Sequence, residues 1–257
     1  MAYALITGAS KGIGKAIATE LALRKIDLLL VARSAEDLKV LADELGKKHG
    51  IKTAFLPIDL SAENAAQQVF DWCLKENFSI NILVNNAGYG LSGNFDKYKL
   101  EENLNMLQLN MLVPVALTQL FLAQLKTQPK AYILNTASSA AYQSVPGLAL
   151  YAASKSFLLS FSRGLHQELK KTNVSVTCLS PGATDTDFVV RAQLGPKGLK
   201  AASQVNMTPE AVAKIAVKAM FRGKAEVIAG AVNKLSVFAA WLLPKGFIER
   251  TAMKIYQ

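Results

Sequence analysis

Residues 3–25 read YALITGASKGIGKAIATELALRK. The stretch opens on β-prone residues, crosses a loop with Gly8, Gly12 and Gly14, and continues with helical apolar spacing. Glycine allows a backbone to turn sharply and to approach a ligand closely. A helix start offers unpaired N–H groups and a partial positive charge, which together seat a pyrophosphate. A glycine pattern alone is a weak signal, but one placed between a first strand and a first helix is strong. Gly8, Ser10, Lys11, Gly12, Ile13 and Gly14 are therefore the expected phosphate-side contacts of a dinucleotide.

The same alternation runs down the chain. Strands are expected at 3–7, 27–32, 52–56, 80–85, 131–136 and 175–179, and helices at 13–25, 35–49, 62–76, 100–125 and 151–170. The strands are near-continuous apolar runs, as in a sheet covered on both faces. Strict βα alternation predicts one α/β domain over residues 1–257: a Rossmann-type, doubly wound parallel sheet of about seven strands with helices on both faces. EVIAG at 226–230 is the candidate last strand. No linker, repeat or low-complexity tract divides the chain.

Two segments depart from the pattern. Residues 185–206 hold Gly195, Pro196 and Gly198 without periodicity, and a loop of that length reads as a flap over a substrate. A new helix then starts at Thr208-Pro209-Glu210, with threonine as N-cap and proline at the first helical position. Residues 235–255 are apolar up to Leu243, are interrupted by Pro244, and carry Trp241, Lys245, Arg250 and Lys254. The run is too short to span a bilayer. It reads either as an interfacial amphipathic segment or as a segment packed on the body or against a second subunit.

The second strand ends in LLLVARS, with Ala32 and Arg33 where an NAD-selecting protein would place an acid for the ribose 2′-hydroxyl. Arg33, helped by Lys11, favours a 2′-phosphate and hence NADP(H) over NAD(H).

YAASK places Tyr151 and Lys155 four residues apart, on one face of a helix. A free tyrosine titrates near pH 10, too high for good proton exchange near neutrality. A neighbouring cation lowers that value, and a shift of ~3 units needs roughly 4 kcal/mol. The pair reads as a tuned acid.

The bulk composition narrows the classes. Apolar residues make up 51% of the 257 and the net charge is +10. The first figure excludes a disordered chain. The second fits either scattered surface lysines or attraction to a polyanion, but no basic run or finger motif points to nucleic acid. Cys73 and Cys178 read as reduced core thiols, which suits a cytoplasmic protein. His49 and His166 lack ligand spacing, so no metal is expected. YALIT begins almost at once, so no signal peptide is expected.

Five motifs in order now resemble the short-chain dehydrogenase/reductase family, in its subfamily of about 250 residues: TGASKGIG; Asp59-Leu60; NNAG at 85–88; the serine of NTASS; and YAASK followed by SPGATDT at 180–186. The resemblance is close over residues 4–186 and looser beyond. It implies that Tyr151 protonates the carbonyl oxygen, that Lys155 tunes Tyr151 and binds the nicotinamide ribose, and that Ser138, 13 residues before the tyrosine, polarises the substrate carbonyl. It implies that Asn110 bulges the long helix and holds a relay water. It gives Asp59 and Leu60 to the adenine. Asn86, Ala87 and Gly88 go to the cofactor behind the fourth strand, and Pro181, Gly182, Thr184 and Thr186 to the nicotinamide side. The cofactor carries the hydride and the protein supplies position and a proton. The family's dimer helices suggest a homodimer, while the apolar basic tail departs from relatives that end in a tetramer-building strand.

The expected activity is an NADP(H)-dependent carbonyl reductase, or the matching alcohol dehydrogenase, acting on an apolar small molecule. Tyr89, Leu91, Ser144, Val145, Pro146 and the flap near Phe188 are the expected substrate wall. Two alternatives stay open: a dehydrogenase of small polar 3-hydroxy acids or hydroxy amino acids, and a dinucleotide-sensing protein without turnover. Peripheral membrane contact through the tail is compatible with any of these.

Overall fold

The computed structural model describes residues 2–184 and 206–256. Seven strands form one sheet in the order β3-β2-β1-β4-β5-β6-β7: β1 Tyr3–Thr7, β2 Asp27–Ala32, β3 Thr53–Pro57, β4 Ile80–Asn85, β5 Ala131–Thr136, β6 Val174–Ser180 and β7 Glu226–Ile228. Every pairing is parallel. The expected strand bounds hold within about a residue, except that β7 stops two residues short of 230.

Alternation of side chains along β1 divides the core in two. Ala4 and Ile6 face α1 (Gly12–Ala22), α2 (Ala35–His49) and the helix beginning at Pro209. Leu5 faces the opposite layer, which is built from α3 (Ala65–Lys75) and the helices that follow β4 and β5. β2 and β5 are buried along their whole length, which is why DLLLVA and AYILNT carry so few polar residues. Asp27, the charged residue in β2, accepts the Lys52 N–H at 2.7 Å and so holds the start of β3.

The long helix expected at 100–125 is three pieces: α4 Leu100–Leu107, a π turn Gln108–Leu112, and α5 Val113–Thr127. Pro114 gives the reason. It has no N–H, so the Asn110 carbonyl lacks its donor four residues on. By length and composition Leu100–Thr127 could cross a membrane. Here Leu117, Phe121 and Leu125 are fully buried, as in the core helix of a folded domain. α3 begins at Ala65 rather than 62. α6 spans Ala149–Glu168, and α7 spans Pro209–Phe221 with the Thr208 hydroxyl accepting the Ala211 N–H at 3.2 Å.

Pro244 divides the tail into α8, Ala231–Leu242, and α9, Lys245–Tyr256. The strand order reverses between β1 and β4, so their C-terminal ends flank the crevice in which such sheets bind ligands.

Candidate active site

The loop after β1 and the loop after β4 are stitched together. Thr7 Oγ1 accepts the N–H groups of Asn86 and Ala87 at 3.0 and 3.1 Å, and donates to the Val84 carbonyl at 3.1 Å. Asn86 Nδ2 returns to the carbonyls of Thr7 and Gly8 at 3.1 and 3.3 Å. A β-carbon on Gly14 would lie 2.1 Å from the Gly8 carbonyl oxygen, so only glycine lets α1 start this close to the strand end.

The start of α1 has no side-chain cap and no acid in its first turn. α2, by contrast, is capped by Ser34 and carries Glu36 and Asp37 there. The N-terminus of α1 is thus open to an external anion.

A cavity of about 870 Å³ begins at this cradle. Gly8, Ser10, Lys11, Gly12 and Ile13 line its start, and Arg33, Asp59 and Leu60 line one arm. Asn86, Ala87 and Gly88 line its floor. Ser138, Tyr151, Lys155, Pro181, Gly182 and Thr184 line the far end. The site residues read from the sequence therefore meet in one place, with two qualifications. Gly14 and Asn110 support the wall from behind, and Thr186 lies outside the described residues, as do residues 185–205 of the flap expected over 185–206. Thr184 and Met207, which flank that segment, form a β-bridge, and Thr184 lines the cavity.

Tyr151 and Lys155 are both buried, and Lys155 Nζ lies 5.9 Å from the centroid of the Tyr151 ring. Nζ also donates to the Thr136 carbonyl at 2.9 Å. Burial pulls the ammonium down to about 8, against a small opposing effect of Cys178. Ser138 ends the strand side, and its hydroxyl accepts the Ala140 N–H at 3.1 Å, capping a short turn, Ser139–Tyr142. The Tyr142 hydroxyl donates to Glu226 and lies 3.1 Å from Ser180 Oγ, which ties that turn to the sheet edge; burial pushes the Tyr142 phenol up.

Asn110 is fully buried in the π turn. Its Oδ1 accepts the Tyr89 N–H at 3.1 Å, and its Nδ2 donates to the Tyr89 carbonyl at 2.9 Å and to Ser154 Oγ at 3.0 Å. The side chain clamps the segment after NNAG to the helix that bears Tyr151 and Lys155. Asp59 takes both the N–H and the hydroxyl of Ser61 on Oδ1, at 3.0 and 2.7 Å, and so shapes its own turn at the cavity rim.

The substrate wall differs from the expectation. Tyr89 and Val145 line the cavity, whereas Leu91 and Pro146 line a smaller hollow against α4, Ser144 lines neither, and Phe188 lies outside the described residues. The tail supplies the rest of the wall through Asn233, Ser236, Val237 and Ala240 of α8 and Ile248, Thr251 and Ala252 of α9. Ala252 packs in the same cluster as Tyr151 and Leu148. Sequence reading allowed the tail to pack on the body but named none of these residues, because no motif marks them. The spacing 233, 236, 237, 240 was the available signal, one helical face of small and polar residues. Asp37, a second acid on the cofactor arm, was also missed.

These residues fit a nicotinamide dinucleotide. The cradle closes if Gly14 gains a methyl, and a β-carbon on Gly88 would lie 2.8 Å from Asn110 Oδ1 and 3.2 Å from Lys155 Nζ. The buried Thr136 hydroxyl, on the cavity wall, has no partner among the described residues.

The model of the short chain dehydrogenase family matches residues 2–196. The chain belongs to that family. It is an oxidoreductase of the carbonyl/alcohol class, whose relatives bind nicotinamide dinucleotides. It is 33% identical over 232 residues to an NADP-dependent 3-hydroxy acid dehydrogenase of Schizosaccharomyces pombe, covering 88% of this chain and 89% of that one. It is also 33% identical over 228 residues to a very-long-chain 3-oxoacyl-CoA reductase of Anas platyrhynchos, covering 80% and 71%. A solved 7β-hydroxysteroid dehydrogenase superposes with a TM-score of 0.86 at 25% identity, covering 98% of this chain and 95% of the other.

Proposed function

We propose that this oxidoreductase is an NADPH-dependent reductase of apolar ketones or aldehydes, with Tyr151 as general acid. The observation that carries the reading is one cavity with a phenol–ammonium pair at one end and Lys11 with Arg33 at the other. Between them the substrate end is walled by Val145, Leu148, Val237, Ala240 and Ile248.

When bound, the dinucleotide supplies the hydride, and the protein supplies position and a proton. The pyrophosphate would be held at the open start of α1, the 2′-phosphate by Arg33 and Lys11, the adenine by Asp59 and Leu60. The nicotinamide side would rest on Asn86 to Gly88 and on Pro181, Gly182 and Thr184. Ser138 donates to the carbonyl oxygen of the substrate, and Tyr151 hands the same oxygen its proton. Lys155 stabilises the negative charge that appears on the phenol oxygen as the proton leaves. Asn110 holds Tyr89 and Ser154 in place, and its carbonyl, deprived of an α-helical donor, is the group suited to hold a relay water. The tests are Tyr151→Phe and a panel of ketones followed by NADPH absorbance. The expected loss is ~10²–10⁴-fold in kcat with NADPH affinity retained. A wild type that binds NADPH tightly and turns over no carbonyl or alcohol would leave the dinucleotide-sensing reading.

The Schizosaccharomyces relative favours a second reading, oxidation of small polar 3-hydroxy acids. Against it, Arg33 is the one arginine on the cavity wall among the described residues, and it lies at the cofactor arm, so none of the described guanidiniums is placed for a substrate carboxylate. We also read the protein as a cytoplasmic homodimer joined through α4–α6, where Leu100, Leu104, Leu112 and Phe157 are exposed. Light scattering on the purified chain tests the dimer.

A further inference from the structure

We propose that the outer face of the α8–α9 pair docks on an anionic lipid bilayer. The two helices have two unlike faces. Asn233, Val237 and Ala240 point into the active-site cavity, and Ala252 packs beneath it. On the other side of α8, Trp241 is 78% exposed and Leu235 68%, flanked by Phe238 and Leu242, and Phe247 continues the surface past Pro244. The described residues leave sixteen large apolar side chains exposed, and eight of them fall between Val232 and Met253. That concentration makes a patch, not the scattered singles of an ordinary surface.

Charge selects the occupant. Lys234, Lys245, Arg250 and Lys254 are all exposed around the patch, and Glu249 is the single acid of the two helices. A second copy meeting this patch about a two-fold axis would bring like charges together. An anionic membrane surface satisfies the apolar side chains and the cations at once, with tryptophan at the headgroup level. Each helix has 12 residues, about 18 Å of length, against a hydrocarbon core of about 30 Å, so the pair lies on the surface and does not span.

The consequence for the enzyme rests on the reductase reading, whereas the docking itself does not. The helix that enters the headgroups is the same one that walls the substrate cavity, so docking would hold that wall at the lipid surface.

Flotation of the full chain with phosphatidylcholine vesicles, with and without phosphatidylglycerol, tests the docking. The wild type is expected to float with the anionic vesicles and to release as salt rises. Trp241→Asp, and separately Lys245→Glu with Lys254→Glu, are each expected to weaken flotation by about tenfold or more. Neither should alter NADPH-linked reduction of a water-soluble ketone. Tyr151→Phe should float like the wild type, which separates failure of docking from failure of the catalytic reading. Three results would overturn the proposal: no flotation at low salt, flotation indifferent to both variants, or a wild-type dimer that stays off vesicles and becomes monomeric on Trp241→Asp. The last would make the patch a subunit interface.

Discussion

Asn233 lies so close to Gly182 that a β-carbon on the glycine would fall 2.1 Å from its Oδ1. Asn233 in turn donates to the Ala229 carbonyl at 2.6 Å, so it cannot simply swing away. The loop that follows β6 and the first turn of α8 are therefore one packed unit, and the tail is part of the active-site wall.

Gly182→Ala should push α8 off that loop. Overpacking of this kind costs about 1–3 kcal/mol. The expected outcome is a lower melting temperature and a higher KM for the carbonyl substrate. Adding Asn233→Gly removes the atoms in conflict but gives up the Ala229 bond and puts a glycine in the helix, so the double variant should lose less than the sum of the two single variants. Losses that simply add would show that the two residues are not coupled.

Lys155 is a stability liability kept at the site of chemistry. Unfolded, its ammonium holds its proton to about 10.5; folded, burial lowers that to about 8. Between those values the unfolded chain binds more protons, so stability rises with pH across the window. Below about 8 the folded state carries the full penalty, about 3 kcal/mol. Lys155→Met removes the penalty and gives up the bond to the Thr136 carbonyl. Urea unfolding of the apo variant should show stability at about pH 7 no lower than wild type, and a flatter rise toward about pH 9.5. Activity should fall by ~10²-fold or more. A variant that is both active and less stable would refute the assignment.

The same titration predicts a limb in the pH profile. The ammonium must be charged to stabilise the phenolate, so kcat/KM for reduction should decline as pH rises through about 8. A profile flat from about pH 7 to about pH 9 would exclude a required ammonium with that value.

What was legible in the sequence follows the physics of each element. β2 and β5 could be placed because a strand covered on both faces tolerates little but apolar residues. The crevice could be placed because Gly14 and Gly88 mark backbone approaches that a side chain would block. Pro114 explains the break in the long helix, but helical spacing alone reads through it. The cavity face of α8 was harder to read, for a different reason. A helix with small residues inward and large apolar residues outward has its apolar stripe on the face away from the protein, so hydrophobic periodicity points to the wrong side.

Cofactor preference depends on two charges of opposite sign. Arg33 and Asp37 both line the cofactor arm, at the end of β2 and in the first turn of α2. Arg33→Asp should weaken NADPH relative to NADH, because it removes a cation from the 2′-phosphate and adds an acid suited to a hydroxyl. Asp37→Asn should do the reverse and tighten NADPH, by about two- to fivefold for a partly exposed like-charge contact. Fluorescence titration of both cofactors measures each. Unchanged relative affinity in both variants would remove Arg33 from the phosphate.

Asn110→Leu tests the clamp behind the site. The amide makes three buried hydrogen bonds, to both backbone groups of Tyr89 and to Ser154 Oγ. Leucine has similar volume and no partners to offer, so the Tyr89 N–H and carbonyl are left buried and unmet, at about 1–3 kcal/mol each. Asn110→Asp keeps the acceptor for the Tyr89 N–H and turns the other oxygen toward a carbonyl, which adds repulsion. Both variants should lose several degrees of melting temperature, with Asp the worse at neutral pH and improving as its carboxyl protonates. If Asn110 acts only as a clamp, kcat should track the loss of stability and be restored by cooling. If its carbonyl also holds the relay water, Asn110→Leu, which leaves that carbonyl in place, should retain a solvent isotope effect on reduction close to that of the wild type.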